Sequence, residues 1–371
     1  MRKDRNGQGW WRAAAVLLSA GALAAAMANA QVMAKPAGEA EAQDGQAALL
    51  AQAVAWVRGN QRLRVEYNYV MTAKVRLLLF WVGKDDVGGG YVRRGRSEAD
   101  AQLETFQLLI GSDPAKATRN INRWGAVKEV VRRGADGNNG IESSAFFGFM
   151  KASKGSSVSE MEKELSKDGQ NGGHLFEAII NRVEREGGIS KVVPFRSEKD
   201  FTLYELESTE QVVFDRLASE AGRTKRVDAQ LWAQCGRANG FLSSVAELVD
   251  AALAGRKVPV ATCYFYHGER FTMKMKEASP VAEKKISVNL RGEEKPFERT
   301  YHDLLLTKFE IENHMTGKIS RFELLLGTKG NLRGAPVRID YQPNWWFRVI
   351  LNLKELKSGE MKPPMNADQR K

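Results

Sequence analysis

Cysteine is scarce: two residues in a chain of 371, too few for a disulfide-dense scaffold or a four-thiolate zinc site. Histidine is nearly as rare. The four present, His174, His267, His302 and His314, include no two at the spacing of metal ligands, so neither a metal site nor a cofactor is expected. Beyond the N-terminus no apolar run reaches the roughly 20 residues that span a bilayer as a helix. The common catalytic signatures are missing too. There is no H-E-x-x-H, no G-x-S-x-G, no S-x-x-K and no G-x-x-x-x-G-K-[ST]. These absences exclude the motif-bearing enzyme classes and a polytopic membrane protein, but not an active site assembled in space.

What is present is a globular composition, 43% hydrophobic, 27% charged and 9% aromatic, which excludes a disordered, collagen-like or coiled-coil chain. At the N-terminus, Arg2, Lys3, Arg5 and Arg12 face a single acid, Asp4, ahead of an apolar stretch from Ala13 to Met27. It ends in Ala28-Asn29-Ala30. A basic start, a short apolar stretch and an A-x-A site describe a secretory signal peptide, residues 1–30, cut before Gln31. The expected protein is exported, periplasmic or secreted, and meets the membrane only peripherally if at all. Of its net charge of +11, the leader accounts for four bases and one acid, so most of the surplus stays beyond Ala30. The basic residues are scattered, with short clusters at Arg93-Arg94-Gly95-Arg96 and Arg132-Arg133. That is no nucleic-acid signature. In an envelope compartment, lipid, anionic polymer or an envelope protein is the expected partner.

The fold expected is α+β: a largely antiparallel sheet with packed helices and a helical insertion near the middle. Residues 31–44 read as a flexible lead-in and 45–190 as an N-terminal α+β part with an insertion at 134–190. Residues 191–357 read as a β-rich C-terminal part and 358–371 as a flexible tail. Leu49, Leu50, Ala53, Val54 and Val57 recur at helical spacing. From Val65 to Trp81 apolar and polar residues alternate, as in one long strand or two joined by a bend. Gly88-Gly89-Gly90 then reads as a turn. Phe106–Ile110 is strand-like, and Asp113 with Pro114 opens a helix that stops near Trp124. A strand is expected at Val127–Val131. In the insertion, Ser157 and Glu160 fit a capping box, and Leu175, Phe176, Ile179, Ile180 and Val183 share a helical face. Ser244 and Glu247 cap a helix with Val245, Leu248, Val249, Ala252 and Leu253 as its apolar stripe, closed by Gly255. Strands are expected at 258–267, 270–276, 285–290, 304–312, 320–326, 336–341 and 345–353.

Four groups are candidates for chemistry. Asp85 and Asp86, before the glycine run, can hold a cation or serve catalysis together with His174; a hairpin turn chosen for backbone conformation is the competing reading. Asp136-Gly137-Asn138-Asn139-Gly140 fails as a calcium loop, because its glycine is misplaced and Phe147 stands where a Glu is required. Cys235 and Cys263 are expected to form a disulfide, closing a loop worth about 3 kcal/mol; a reactive thiol or two buried thiols are the alternatives. Tyr264, Tyr266, Trp345 and Trp346 belong to runs of three aromatics on strands. Such runs place rings on both faces, so they are candidates for a binding groove, or for the rim of a large core.

Met71 to Gly90, Gly111 to Pro114 and Asn122 to Gly125 resemble exported bacterial proteins without an assigned activity, and the resemblance gives no residue a role. The strand-rich C-terminal portion is similar to periplasmic curved-sheet proteins that shield lipid tails, a likeness of fold only. The function expected is a non-enzymatic envelope protein that binds an apolar or anionic envelope molecule or a protein partner. A hydrolase or transferase acting on envelope polymers, and a structural subunit of an envelope assembly, are the alternatives.

Overall fold

The computed structural model describes residues 39–77, 80–134, 140–151, 173–185, 187–202, 205–219, 222–227 and 229–361. The leader, the 136–140 segment apart from Gly140, and the helix expected at Ser157 lie outside them. Fourteen strands form one sheet: β1 Gln61–Leu77, β2 Phe80–Ser97, β3 Leu103–Ser112, β4 Trp124–Arg133, β5 Ile141–Lys151, β6 His174–Glu184, β7 Gly187–Ser197, β8 Arg223–Val227, β9 Val260–Tyr266, β10 Glu269–Val288, β11 Phe297–Asn313, β12 Ile319–Gly327, β13 Pro336–Asn344 and β14 Phe347–Met361. Four helices accompany them: α1 Glu39–Arg58, α2 Leu206–Ser219, α3 Ala229–Ala233 and α4 Phe241–Leu253. Three of these form the helical interruption in the middle of the chain, between β7 and β9. Among the described residues, no helix is long and apolar enough to cross a membrane.

Every ladder is antiparallel, and each strand pairs with its sequence neighbours, with one exception. β1 pairs with β14, matching Tyr69 to Leu353 and Met71 to Leu351. The sheet is thus two meanders, β1–β8 and β9–β14, fused at their far ends, and its edges are the consecutive strands β8 and β9. The sheet curls so that these edges approach. The Phe146 ring of β5 meets Tyr266 of β9 edge-on at 5.4 Å, and Lys225 of β8 reaches Glu269 of β10 at 2.6 Å.

In the middle of the first meander, β4–β7, both faces are buried. Outside, Ala53 and Val57 of α1 and Val213, Phe214 and Leu217 of α2 cover Leu109, Trp124, Phe147, Phe149 and Phe176. Trp124 is fully buried, donates its indole N–H to the Phe201 carbonyl at 2.9 Å and packs edge-on against Phe149. Inside, Val127, Phe146, Ile179 and Val192 meet α4 and the inner face of the second meander, Tyr264, Phe271, Met273 and Phe309.

Double burial explains the first correction. Residues 175–183, expected as helix, are strand β6. With Phe176 and Ile180 under the outer helices and Ile179 in the interior, both faces need apolar residues. The alternation that marks a one-sided strand is then lost. Gly88-Gly89-Gly90 is not a turn but lies inside β2, paired to β1 and β3. A Cβ on Gly90 would fall 1.9 Å from the Leu109 carbonyl oxygen and one on Gly89 2.4 Å from that of Tyr69. Close approach of the three strands, not a change of direction, requires glycine here.

Asp113 does start a turn, accepting from the Ala115 N–H at 2.9 Å, but no α-helix follows. The segment holds a short 3-10 turn, Thr118–Asn120. The Ser112 hydroxyl donates to the Ile121 carbonyl at 2.6 Å and accepts from the Arg123 N–H at 2.8 Å, which brings the chain straight back to β4. The strands expected at 270–276 and 285–290 are one long strand, β10, that pairs throughout with β11 apart from a bulge near Glu277. α4 begins at Phe241, ahead of the expected cap at Ser244, because its cap comes from another strand. The fully buried carboxylate of Glu129 on β4 accepts from the N–H groups of Leu242 at 2.8 Å and of Gly240 and Ser243 at 3.2 Å. Burial pushes the Glu129 carboxyl up, partly offset by these hydrogen bonds.

Candidate functional site

α4 is tied to one side of the interior. Glu129 holds its N-terminus, the Ala238 N–H donates to the Ile141 carbonyl at 2.9 Å, and the Phe265 N–H donates to the Asn239 carbonyl at 3.2 Å. The Asn239 side-chain amide bridges Glu247 and Thr262, at 2.8 and 3.2 Å. The disulfide Cys235–Cys263, with its Cα atoms 5.6 Å apart, pins the segment before α4 to β9 as the sequence led us to expect. At the far end Gly255 adopts φ 72° and closes the helix, its N–H donating to the Ala252 carbonyl at 3.0 Å.

These anchors face β4 and β9; on the opposite side α4 packs only in part, with Phe241 meeting Phe322 at 6.4 Å, and a cavity of about 570 Å³ opens there. Phe241, Val245, Val249 and Leu253 of α4 form one wall. Tyr67 of β1, Val92 of β2 and Phe106, Leu108 and Ile110 of β3 form the second. Phe322 and Leu324 of β12, Ile339 and Tyr341 of β13, and Val349 and Leu351 of β14 form the third. The lining is mostly carbon, and the size falls within the roughly 300–1,000 Å³ of small-molecule pockets.

One end of the cavity is polar. Arg94 and Asp250 line both it and an adjoining recess walled by Arg96, Gln102, Glu104, Arg133, Glu247 and Arg256. Two of the acids are already neutralised. Glu104 sits between Arg94 at 2.6 Å and Arg133 at 3.0 Å; burial works to raise its carboxyl, but the two guanidiniums outweigh it and hold it below the usual range. Glu247 pairs with Arg237. Asp250 remains exposed, against Arg96 and Arg256, so the recess keeps a positive surplus.

A second polar group lies inside the curl, at the seam between β8 and β9. Glu177 on β6 is buried, and desolvation, only partly offset by Arg223, raises its carboxyl to about 7. His267, in the turn after β9, is buried too; desolvation first, then Lys225 and Arg223, lowers it to about 4. Glu269 accepts from Lys225 at 2.6 Å and from the Asn313 amide at 3.0 Å.

The residues singled out in the sequence fall elsewhere. Thr72 alone stands opposite Asp85-Asp86-Val87, a bulge in the β1–β2 ladder. Asp85 accepts from the Thr72 hydroxyl at 2.8 Å and from the backbone and side-chain N–H groups of Asn289 at 3.1 Å. Asp86, at φ 50°, accepts from the Arg291 N–H at 2.9 Å and pairs with Lys116 at 3.0 Å. The two acids therefore fasten the loop after β10 onto β2. His174 begins β6 and lies 3.5 Å from Asp200, which also pairs with Lys151; it shares no partner with Asp85 or Asp86. Tyr264 and Tyr266 are buried behind α4, with Tyr264 meeting Phe241 edge-on at 5.9 Å and stacking on Phe271 at 5.1 Å. They support the cavity wall without lining it. Trp345 is exposed at the β13–β14 turn, and Trp346 packs on Phe347.

The sequence reading missed the cavity walls, although two signals were there. Phe106, Leu108 and Ile110 alternate along β3, and α4 is apolar around most of its circumference, with Phe241, Leu242 and Ala246 beside the stripe. A helix apolar on two sides is one that packs or encloses on two sides.

Compared with known proteins, the sequence matches no family model and no curated protein. Among solved structures the chain is similar to a beta-barrel-like protein of the domain of unknown function DUF1849 from Brucella abortus. The TM-score is 0.41 at 10% identity, covering 81% of this chain and 99% of that one.

Proposed function

We propose that the protein is an exported carrier for a single-chain amphiphile, with the apolar part in the cavity and an anionic end against the arginine recess. The apolar cavity carries the reading. A carbon-lined, partly open pocket of about 570 Å³ suits an apolar chain, which gains by displacing water from those walls. The recess supports an anionic head, since Arg96 and Arg256 outnumber the one acid beside them, Asp250. The disulfide supports an extracytoplasmic compartment, and the leader a route to it, by cleavage after Ala30. Asp85, Asp86 and His174, tied into separate structural contacts, favour binding over hydrolysis.

The test uses a matched pair, laurate and dodecanol, titrated into delipidated protein. Both should bind, laurate more tightly. Val245→Trp, which fills the cavity, should weaken both about tenfold or more. Arg96→Gln combined with Arg256→Gln should weaken laurate about tenfold and leave dodecanol unchanged. Binding of neither ligand, at unaltered stability, overturns the carrier reading.

A further inference from the structure

The fourteen-stranded meander sorts its connections between two rims, because consecutive antiparallel strands turn at opposite ends. The β1–β2, β11–β12 and β13–β14 connections fall on one rim. There Leu77 pairs with Phe80, Asn344 with Phe347, and the Arg76 N–H donates to the Trp346 carbonyl at 2.7 Å, so the first and last of these tips lie side by side. This rim gathers exposed apolar side chains. Phe80 is 74% exposed, Val82 54%, Trp345 66%, Met315 71% and Ile319 47%. Among the described residues, only Val212 and Val258 are comparable large apolar side chains exposed elsewhere. Singly exposed apolar residues need no explanation, but five on one rim do.

The row behind the tip is basic. Lys74 stands beside Arg348 and Gly83, one step in from Arg76 beside Trp81. Lys84 is exposed just beyond, and Lys318 follows Met315 in the neighbouring turn. The acids beside this row have partners: Asp340 is held by Arg338 at 2.9 Å and by Arg348, Asp85 by Thr72 and Asn289, Asp86 by Lys116 at 3.0 Å, and Glu312, opposite Ile319, by Lys274 at 3.3 Å. Glu323, opposite Asp340, lies further along β12. Aromatic and aliphatic tips backed by lysine and arginine match the chemistry of a bilayer surface. There tryptophan and phenylalanine settle at headgroup depth, and cations one row back meet anionic lipid.

We infer that this rim docks the protein onto an anionic membrane surface, with Phe80, Val82 and Trp345 entering the headgroup layer. Docking is peripheral and reversible, since a few side chains and no spanning segment enter the lipid. It goes beyond the carrier reading and does not depend on it, because the arginine recess lies at the opposite rim, beside the β2–β3 and β4–β5 connections. The docked protein therefore keeps the arginine recess toward water.

Vesicle co-sedimentation tests it with the full protein. Vesicles of equal parts phosphatidylglycerol and phosphatidylcholine should bind the wild type far better than pure phosphatidylcholine, and salt should weaken the binding. Phe80→Ser, Val82→Ser and Trp345→Ser together should lower partitioning about tenfold or more. Lys74→Glu with Lys84→Glu should abolish the preference for phosphatidylglycerol. Unchanged thermal unfolding shows that both variants are folded. Binding by the triple variant equal to the wild type overturns the proposal. So does a wild type that ignores phosphatidylglycerol vesicles, or a concentration-dependent dimer that the triple variant loses, which would assign the rim to a second copy of the chain.

Discussion

Glu129→Ala should lower the unfolding free energy by about 3–5 kcal/mol in urea titrations, since each buried N–H left without an acceptor costs about 1–3 kcal/mol. Two such groups, on Leu242 and Ser243, depend on this carboxylate, and the Gly240 N–H divides itself between it and the Ser243 hydroxyl at 3.1 Å. The substitution also frees the N-terminus of the helix that walls the cavity, so amphiphile binding should be lost with the stability. Glu129→Gln keeps one acceptor oxygen and should cost less than half as much. If alanine costs under 1 kcal/mol, the cap is not what holds α4 in place.

The second large effect is in the pH dependence of stability. Glu177 titrates near 7 in the folded protein against 4.5 for a free carboxyl, so the folded state holds a proton that the unfolded chain has released. Its contribution is full below about 4.5 and is lost as pH rises through 7, about 3 kcal/mol in all. His267 runs the other way. It titrates near 4 against 6.5, so its contribution is present above 6.5 and is lost as pH falls through 4, again by about 3 kcal/mol. The two nearly cancel in the wild type between pH 4.5 and 6.5. Glu177→Gln should therefore leave stability that climbs with pH over this range, and His267→Asn stability that falls. Arg223 and Lys225 on β8, Tyr266 on β9 and Glu269 on β10 share this seam and set the background for both. Parallel slopes in the two variants would refute the pairing of opposed shifts.

The fold was legible where one face of an element is wet. The spacing of Leu50, Ala53 and Val57 marked α1, whose other face is exposed, and the alternation from Val65 to Trp81 marked β1 and the start of β2 although Glu66 and Thr72 on its polar side are buried. It was illegible where the contrast vanishes. β6 is covered by helices on one side and by the interior on the other, so its apolar residues fit a helical face as well as a strand. The Gly88–Gly90 run was read as a local change of direction, whereas its cause, the crowding of β1 and β3, is a contact between distant segments. The cap of α4 illustrates the same limit: Ser244 and Glu247 satisfy the local pattern, but the acceptor that decides the helix start is Glu129, more than a hundred residues away. The disulfide was accessible, since two cysteines allow a single pairing. The cavity was not, because its walls come from α4 and from strands of both meanders, segments far apart in the chain.

The one non-neighbour ladder, β1 with β14, has a consequence for how the chain reaches its native state. All other pairings form between adjacent segments, at low contact order, so each meander can zip from its own hairpins. Only β1–β14 must bring Tyr69 to Leu353 across almost the whole described chain, and that search meets the largest loop-closure entropy in the molecule. A chain rejoined from Met361 back to α1 and cut just after β8 would retain every ladder and turn this encounter into a neighbouring pairing. The barrier to folding is thus a property of where the polypeptide is severed, and not of the sheet itself.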